Sequence, residues 1–333
     1  MAGKTVAITG ASAGIGRAAA RAFAGRGYNV GLIARATERL EDACREVNAT
    51  GGSGIAAPAD VADADAVDRA AEHIERNLGP IDVWVNAAMA TVFAPFHLIA
   101  PHEYRRATEV TYLGFVHGTM AALKRMRPRG RGTIVQVSSA LAYRSVPLQS
   151  AYCGAKAAIR AFTDSIRSEL IHDGVNVNLT TVNMPALNTP QFDWARNKMR
   201  QRPQPLAPIF QPEVAARAIV LAAERPQRRE IYVGRSTLTA IFGNMIAPGL
   251  LDRLLANKGY SGQLTDEDEP ASRPDNLFEP VRDEHKAHGR FDERATYRSP
   301  ELWLTEHRGI AAALVLGLAV LVARAVPLVT RRP

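Results

Sequence analysis

Six apolar runs of strand length punctuate the chain as far as Arg235: TVAIT, NVGLIA, IDVWVNAA, GTIVQVSS, VNVNLTTVN and EIYVG. Their apolar character is continuous rather than alternating, as strands covered on both faces require. Between them, Arg17 to Arg26, Ala36 to Thr50 and Ala64 to Leu78 carry Ala, Glu, Arg and Leu at helical spacing. Strands and helices in alternation predict an α/β fold built on a doubly wound parallel sheet.

Beyond Arg235 the pattern changes. Leu238 to Leu255 reads as one more apolar helix, broken near Pro248 and Gly249. From Gly259 to Pro300 the chain is rich in Asp, Glu, Pro and Arg, which predicts a solvated extension or an ordered arm without a core of its own. Gly309 to Val329 is apolar on every side, but reaches the ~20 residues of a bilayer crossing only by including Arg324 and Pro327. Two readings of that segment stay open: a membrane anchor, spanning or partly inserted, and a helix buried against another subunit. The expected organisation is a catalytic domain over 1–258, a polar extension over 259–308 and an apolar terminal segment over 309–333.

Apolar residues at 47% and charged residues at 22% are ordinary for a globular protein. A net charge of +8 would suit nucleic acid or an anionic membrane surface, yet the basic residues are scattered apart from short runs such as Arg125 to Arg131, which weighs against nucleic acid. Cys44 and Cys153 lie far apart and form neither a disulfide framework nor a metal-ligand cluster, so no metal is expected and a reducing cytoplasm fits. The opening MAGKTVAITG is too short an apolar run for an export signal.

The chemistry concentrates in two places. Thr9-Gly10-Ala11-Ser12-Ala13-Gly14-Ile15-Gly16 follows the first strand and opens the first helix, where glycines permit a tight turn and backbone N–H groups face a pyrophosphate, the arrangement of a Rossmann-type nucleotide site. Alone, such a turn could equally be a strand-to-helix connection with no ligand. Tyr152 and Lys156 stand four apart, on one face of a helix, and a nearby ammonium favours the phenolate form. Ser139 ends the strand GTIVQVSS, at the edge where open α/β sheets bind ligands.

Together these residues resemble the short-chain dehydrogenase/reductase family, whose hallmarks are TGxxxGxG and a Ser followed by YxxxK, over about Lys4 to Arg235. The resemblance implies that Tyr152 is the general acid/base, that Ser139 orients a substrate carbonyl, and that Lys156 holds the nicotinamide ribose while lowering the phenol pKa. Gly10, Ser12, Gly14, Ile15 and Gly16 would form the dinucleotide turn, Tyr152 and Lys156 would also touch the cofactor, and Asp60 would lie near the adenine ring. Asn86 begins Asn-Ala-Ala-Met where the family usually has NNAG. Thr111 stands where the family often has an Asn that holds a relay water, and Thr189, which would contact the nicotinamide carboxamide, survives without the usual Pro-Gly pair.

Cofactor choice follows from charge. At the end of the second strand, where NAD enzymes place an acid, the chain has Ala34 and then Arg35, which favours NADP because a 2′-phosphate needs a cation. The expected function is hydride transfer between NADP(H) and a small-molecule carbonyl or secondary alcohol substrate, by a homo-oligomer in the cytoplasm that is membrane-associated if the terminal segment is an anchor. The alternative is a nucleotide-binding sensor or membrane-associated scaffold with little catalysis, motivated by Thr111 and the altered Asn86 segment. The variable stretch Phe192 to Gln211 suggests a lid over a moderately large apolar substrate.

Overall fold

In the first strand Val6 and Ile8 pack to one side while Ala7 packs to the other, and all three are fully buried. That two-sided burial repeats along a parallel sheet and explains the unbroken apolar runs. The computed structural model describes residues 3–270, 272–281 and 286–309. The strands are β1 (Thr5–Thr9), β2 (Asn29–Ala34), β3 (Ser53–Pro58), β4 (Ile81–Asn86), β5 (Gly132–Ser139), β6 (Val177–Met184) and β7 (Glu230–Tyr232). They pair in parallel in the order 7-6-5-4-1-2-3. The reversal between β1 and β4 is the switch point at which such sheets open a ligand crevice.

Helices α1 (Gly14–Ala24), α2 (Thr37–Ala49), α3 (Ala64–Leu78), α4 (Pro101–Thr108), α5 (Gly114–Arg129), α6 (Ser150–His172) and α7 (Pro212–Glu224) flank the sheet. One core joins α1, α2 and α7 to Val30, Val83, Val135 and Val182. The other joins α3 and α5 to Ile33, Trp84 and Ile134. The apolar stretch after β7 forms α8 (Arg235–Ile246) and α9 (Pro248–Leu254), broken at Ala247 as Pro248 requires. β3 is absent from the six apolar runs because it is the edge strand: Ser53 and Pro58 are exposed and only Ala57 is buried.

The polar stretch after Gly259 is an ordered arm that feeds side chains into both cores. Leu264–Asp268 pairs antiparallel with Gln201–Pro203, and Ala295–Thr296 lies beside Ile209–Phe210, which in turn pairs with Ala186–Leu187. Leu277 is fully buried in the α3/α5 core, whereas Ala287 and Leu302, the latter on α10 (Pro300–Glu306), enter the α1/α7 core. Among the described residues no helix is long and apolar enough to cross a membrane. The apolar segment from residue 310 onward lies outside the described residues.

Candidate active site

The turn after β1 is shaped by close backbone approach. Gly10 has φ +71°, and a Cβ there would stand 2.8 Å from the Ala88 Cα; a Cβ on Gly16 would meet the Gly10 carbonyl oxygen at 2.3 Å. Among the described residues no side chain caps α1, whose N-cap is Ala13; the Gly14 N–H goes to the Lys286 carbonyl, which leaves the Ile15 and Gly16 amides for another acceptor. Gly10, Ser12, Gly14, Ile15, Gly16, Arg35 and Asp60 all line one cavity of about 150 Å³ between β1, β2 and β4.

A second cavity, of about 290 Å³, holds Ser139, Tyr152 and Lys156. The two meet, since Ile15, Ala87, Met89, Thr189 and Gln191 line both. Thr189 therefore sits at the junction, where a group joining the two spaces would pass. Phe192, Pro205, Leu206 and Ala207 come from the stretch expected to form a lid; Arg144, Ser236, Ala240, Leu251 and Leu255 complete the wall and were not anticipated.

β5 and α6 bring the catalytic candidates together. The Ser139 hydroxyl faces the Tyr152 phenol and favours its ionised form, and its Oγ accepts from the Leu141 N–H at 3.1 Å. Lys156, 3% exposed, donates from Nζ to the Val137 carbonyl at 2.7 Å and stands 4.5 Å over the Phe115 ring. Burial pushes the ammonium down to about 7. The phenol itself is raised above its ordinary value, mainly by burial, against a lowering by the Ser139 hydrogen bond and a further rise from Cys153. Lys156 faces the Tyr152 ring, 5.5 Å from its centroid. Thus the expected lowering of the phenol by Lys156 is not what the geometry produces here: the ammonium is spent on a carbonyl and burial dominates. Ser138, absent from the sequence reading, lines the same cavity with a buried hydroxyl that has no partner.

Two candidates from the sequence point elsewhere. Asn86 is fully buried, and its side chain does not line either cavity. Its Nδ2 donates to Gln136 Oε1 at 2.9 Å and Thr119 Oγ1 at 3.2 Å, and its Oδ1 accepts from Trp84 Nε1 at 2.8 Å. Asn86 is thus a polar tie between β4, β5 and α5. A Cβ on Gly118 would stand 2.1 Å from the Asn86 Oδ1, so α5 can approach this closely only with glycine there. Thr111 lies in a π-turn over Glu109–Leu113 and its Oγ1 both donates to the Ala90 carbonyl at 2.6 Å and accepts from the Ala90 N–H at 2.9 Å. With its only proton committed, Thr111 anchors the loop after β4 instead of offering a hydroxyl proton to a relay water.

At the β2 end of the first cavity the arm takes hold of the cations. Arg35 donates to the carbonyls of Asn276 and Phe278, each at 2.6 Å, Arg39 to Val281 at 2.9 Å, and Arg106 to Leu277 at 3.1 Å. Asn276 and Pro280 line the cavity themselves. Burial lowers Arg35 somewhat below the usual guanidinium value. Burial would raise the Asp60 carboxyl, but the Ala62 N–H and the Arg106 guanidinium together hold it below the usual range. Farther along the arm, the Lys286 carbonyl accepts from the Gly14 N–H at 3.2 Å, and Gly289 lies against Asn188 and Thr189. Nothing in the sequence marked these contacts, because backbone carbonyls carry no residue signature.

Residues 4–199 match the short chain dehydrogenase family. The uncharacterized oxidoreductase YxnA of Bacillus subtilis is 33% identical over 82% of this chain and 75% of its own length. The fatty acyl-CoA reductase of Acinetobacter baylyi is 31% identical over 78% of this chain and 85% of its own. Among solved structures, the L-sorbose reductase of Gluconobacter frateurii complexed with NADPH and L-sorbose aligns with a TM-score of 0.61 and 25% identity, covering 70% of this chain and 95% of that one. The alcohol dehydrogenase of Thermococcus sibiricus complexed with 5-hydroxy-NADP aligns at 0.58 and 26% identity, covering 69% and 95%. With the glycine turn at the sheet's switch point and Ser139, Tyr152 and Lys156 gathered on the wall of the adjoining cavity, the chain belongs to the short-chain dehydrogenase family and is an oxidoreductase.

Proposed function

We propose that the protein transfers a hydride between NADP(H) and a carbonyl or secondary alcohol, with Tyr152 as the general acid/base. The observation that carries this reading is the junction of the two cavities, which joins the glycine turn to the Ser139–Tyr152 pair in one continuous space. The donor set fits the cofactor: the Ile15 and Gly16 amides at the start of α1 suit a pyrophosphate, and Arg35 and Arg39 suit a 2′-phosphate where no carboxylate directly follows β2. Both solved relatives described above carry an NADP form in their complexes. NADPH held there supplies the hydride.

The chain's own residues handle the substrate oxygen and its proton. Ser139 holds the carbonyl oxygen by its hydroxyl, and Tyr152 gives that oxygen the phenolic proton as it gains charge. A phenol raised by burial stays protonated at neutral pH, which suits the donor role and so the direction of reduction. Lys156, held by the Val137 carbonyl, would hold a ribose hydroxyl beside the phenol. A second reading, nucleotide binding with little turnover, draws on Thr111, whose proton is committed to Ala90.

NADPH consumption over a panel of ketones and aldehydes separates the two. Tyr152→Phe should lower turnover by about 10²- to 10⁴-fold, the range of a lost proton donor, while NADPH affinity stays within about twofold. Parent-level turnover in that variant would remove Tyr152 from the chemistry, and no turnover of any substrate by the parent would favour the second reading.

A further inference from the structure

The hairpin of α8 and α9 is apolar on two faces. Its inner face gives Ala240 and Leu251, followed by Leu255, to the wall of the catalytic cavity. Its outer face leaves Phe242, Met245, Ile246, Leu250 and Leu254 in solvent, with Ile246 83% and Met245 73% exposed. Large apolar side chains clustered on one exposed hairpin are uncommon in a free soluble surface and mark a surface that is covered in use.

Charge says what covers it. Arg235 at the start of α8, Arg253 on α9 and Lys258 just after it are exposed and make no ion pair among the described residues. Asp252 is the sole acid between Arg235 and Ser261, and it is already paired with Arg144 at 2.5 Å. A second copy docked here about a two-fold axis would bring these cations toward their own images, with no free carboxylate to offset them. An anionic lipid surface supplies both what the side chains lack and what the cations attract.

The cavity behind the hairpin matches that surface. Beside Ser139 and Tyr152 its lining includes Leu141, Val146, Met184, Leu206, Leu251 and Leu255. Arg144, at its edge, donates to Asn244 on α8 and pairs with Asp252 on α9, so one side chain from the loop before α6 latches both helices of the hairpin. We propose that the α8–α9 hairpin seats on an anionic bilayer surface and that the substrate is a lipid-soluble carbonyl compound with an extended apolar tail, which enters the catalytic cavity beside the Arg144 latch. The substrate half of this proposal rests on the hydride-transfer reading above; the seating of the hairpin does not.

The test uses the full chain, so that any contribution of the C-terminal segment is present throughout. Phe242→Trp places an indole on the outer face, and its emission is read as the difference from the parent, whose tryptophans are Trp84, Trp194 and Trp303. With phosphatidylglycerol vesicles carrying bromine on the acyl chains, the introduced indole should shift to the blue and lose at least about half its emission, and phosphatidylcholine vesicles should require roughly tenfold more lipid. Phe242→Ser, Ile246→Ser and Leu250→Ser combined should lower activity on a long-chain ketone presented in those vesicles by about tenfold or more, and leave turnover of a short water-soluble ketone unchanged.

An indole that stays unquenched while the protein sediments with the vesicles would overturn the seating, since another part of the chain would be the anchor. An indole already blue-shifted without lipid, in a manner that depends on protein concentration, would replace the bilayer with a second copy. Quenching without turnover of any ketone would leave the seating standing and sink the hydride-transfer reading. Equal loss on both ketones would show that the hairpin shapes the cavity without delivering substrate.

Discussion

Burial beneath Phe115 pushes the Lys156 ammonium down to about 7, well below the ordinary lysine value. The unfolded chain then binds more protons than the folded one between about pH 7 and the ordinary value near 10.5, so stability rises with pH across that window. The cost of the buried charge is fully present below about 7. Lys156→Met keeps the stem and removes the charge, so at pH 7 the cofactor-free variant should melt about 2–4 °C above the parent, with the gap narrowing toward pH 10. Turnover should fall about 100-fold or more in the same protein. A melting point below the parent's would show that the donation to Val137 outweighs the cost of burying the charge.

Arg35 serves two masters at the other end of the crevice. Its guanidinium already holds the Asn276 and Phe278 carbonyls, so Arg35→Ala loosens the arm for any cofactor and also removes the cation proposed to face a 2′-phosphate. Titration of both cofactors separates these effects. The loss for NADPH should exceed that for NADH by about 1–3 kcal/mol, the usual range of a charge-assisted contact. Equal losses would mean that Arg35 only fastens the arm.

Among the elements, the arm and the edge strand show what the chain's pattern conceals. Buried strands were legible because two-sided burial leaves an unbroken apolar run, and the Tyr152–Lys156 face was legible because a helix aligns residues four apart. β3 was not among the runs since its side chains are half exposed. Asn86 matched a motif by type, yet its amide faces Gln136 and Thr119, an orientation that no spacing rule reports. The sequence left the arm open between a solvated extension and an ordered arm because many of its fastenings are polar: carbonyls taken by Arg35, Arg39 and Arg106, and the pair of His288 with Glu213 and Asp292, each at 2.8 Å.

That histidine makes the arm's attachment depend on pH. Burial alone would lower His288, but its hydrogen bonds to Glu213 and Asp292 prevail and raise it; Arg21 of α1, 3.8 Å from Glu213, is the facing cation. A raised folded value means the stabilisation is complete below the ordinary histidine value near ~6.5 and is lost as pH climbs through the raised one. Exchange of the Gly289 amide, which donates to the Asn188 carbonyl at 3.2 Å, should therefore gain protection in mild acid beyond the intrinsic rate, and His288→Gln should abolish that gain. Unchanged pH dependence in the variant would place the switch elsewhere.

Across the whole molecule the arm closes a circuit that the sheet leaves open. Phe278 stacks on His102 in the first turn of α4 and lies under Arg196, while Asp275 pairs with Arg196 at 2.8 Å, so the arm bridges the β2 end of the crevice to the stretch that walls the catalytic cavity. Gln263, fully buried, donates to the Pro147 carbonyl and accepts from Gln149, which lines that cavity just before the catalytic helix. Phe278→Ala combined with Asp275→Asn removes two side-chain fastenings and touches no cavity-lining residue. NADPH should leave this variant at least about fivefold faster than the parent, as expected for a loss near 1 kcal/mol that falls on the off-rate, measured by chase with excess NADP. An unchanged rate would show that the arm covers the crevice without retaining its occupant.

The same arrangement carries a consequence in time. Every wall of the crevice from Gly10 to Gln191 leaves the ribosome before the segment that roofs it, since Asn276, Pro280 and Lys286 belong to the last part of the described chain. During synthesis the sheet and its glycine turn can form with the crevice unroofed, and the fastening of Arg35 waits until Asn276 and Phe278 have emerged. The Gly14 N–H, on the crevice wall, meets the Lys286 carbonyl later still. The order of synthesis is thus the order of assembly for this crevice, walls first and roof last.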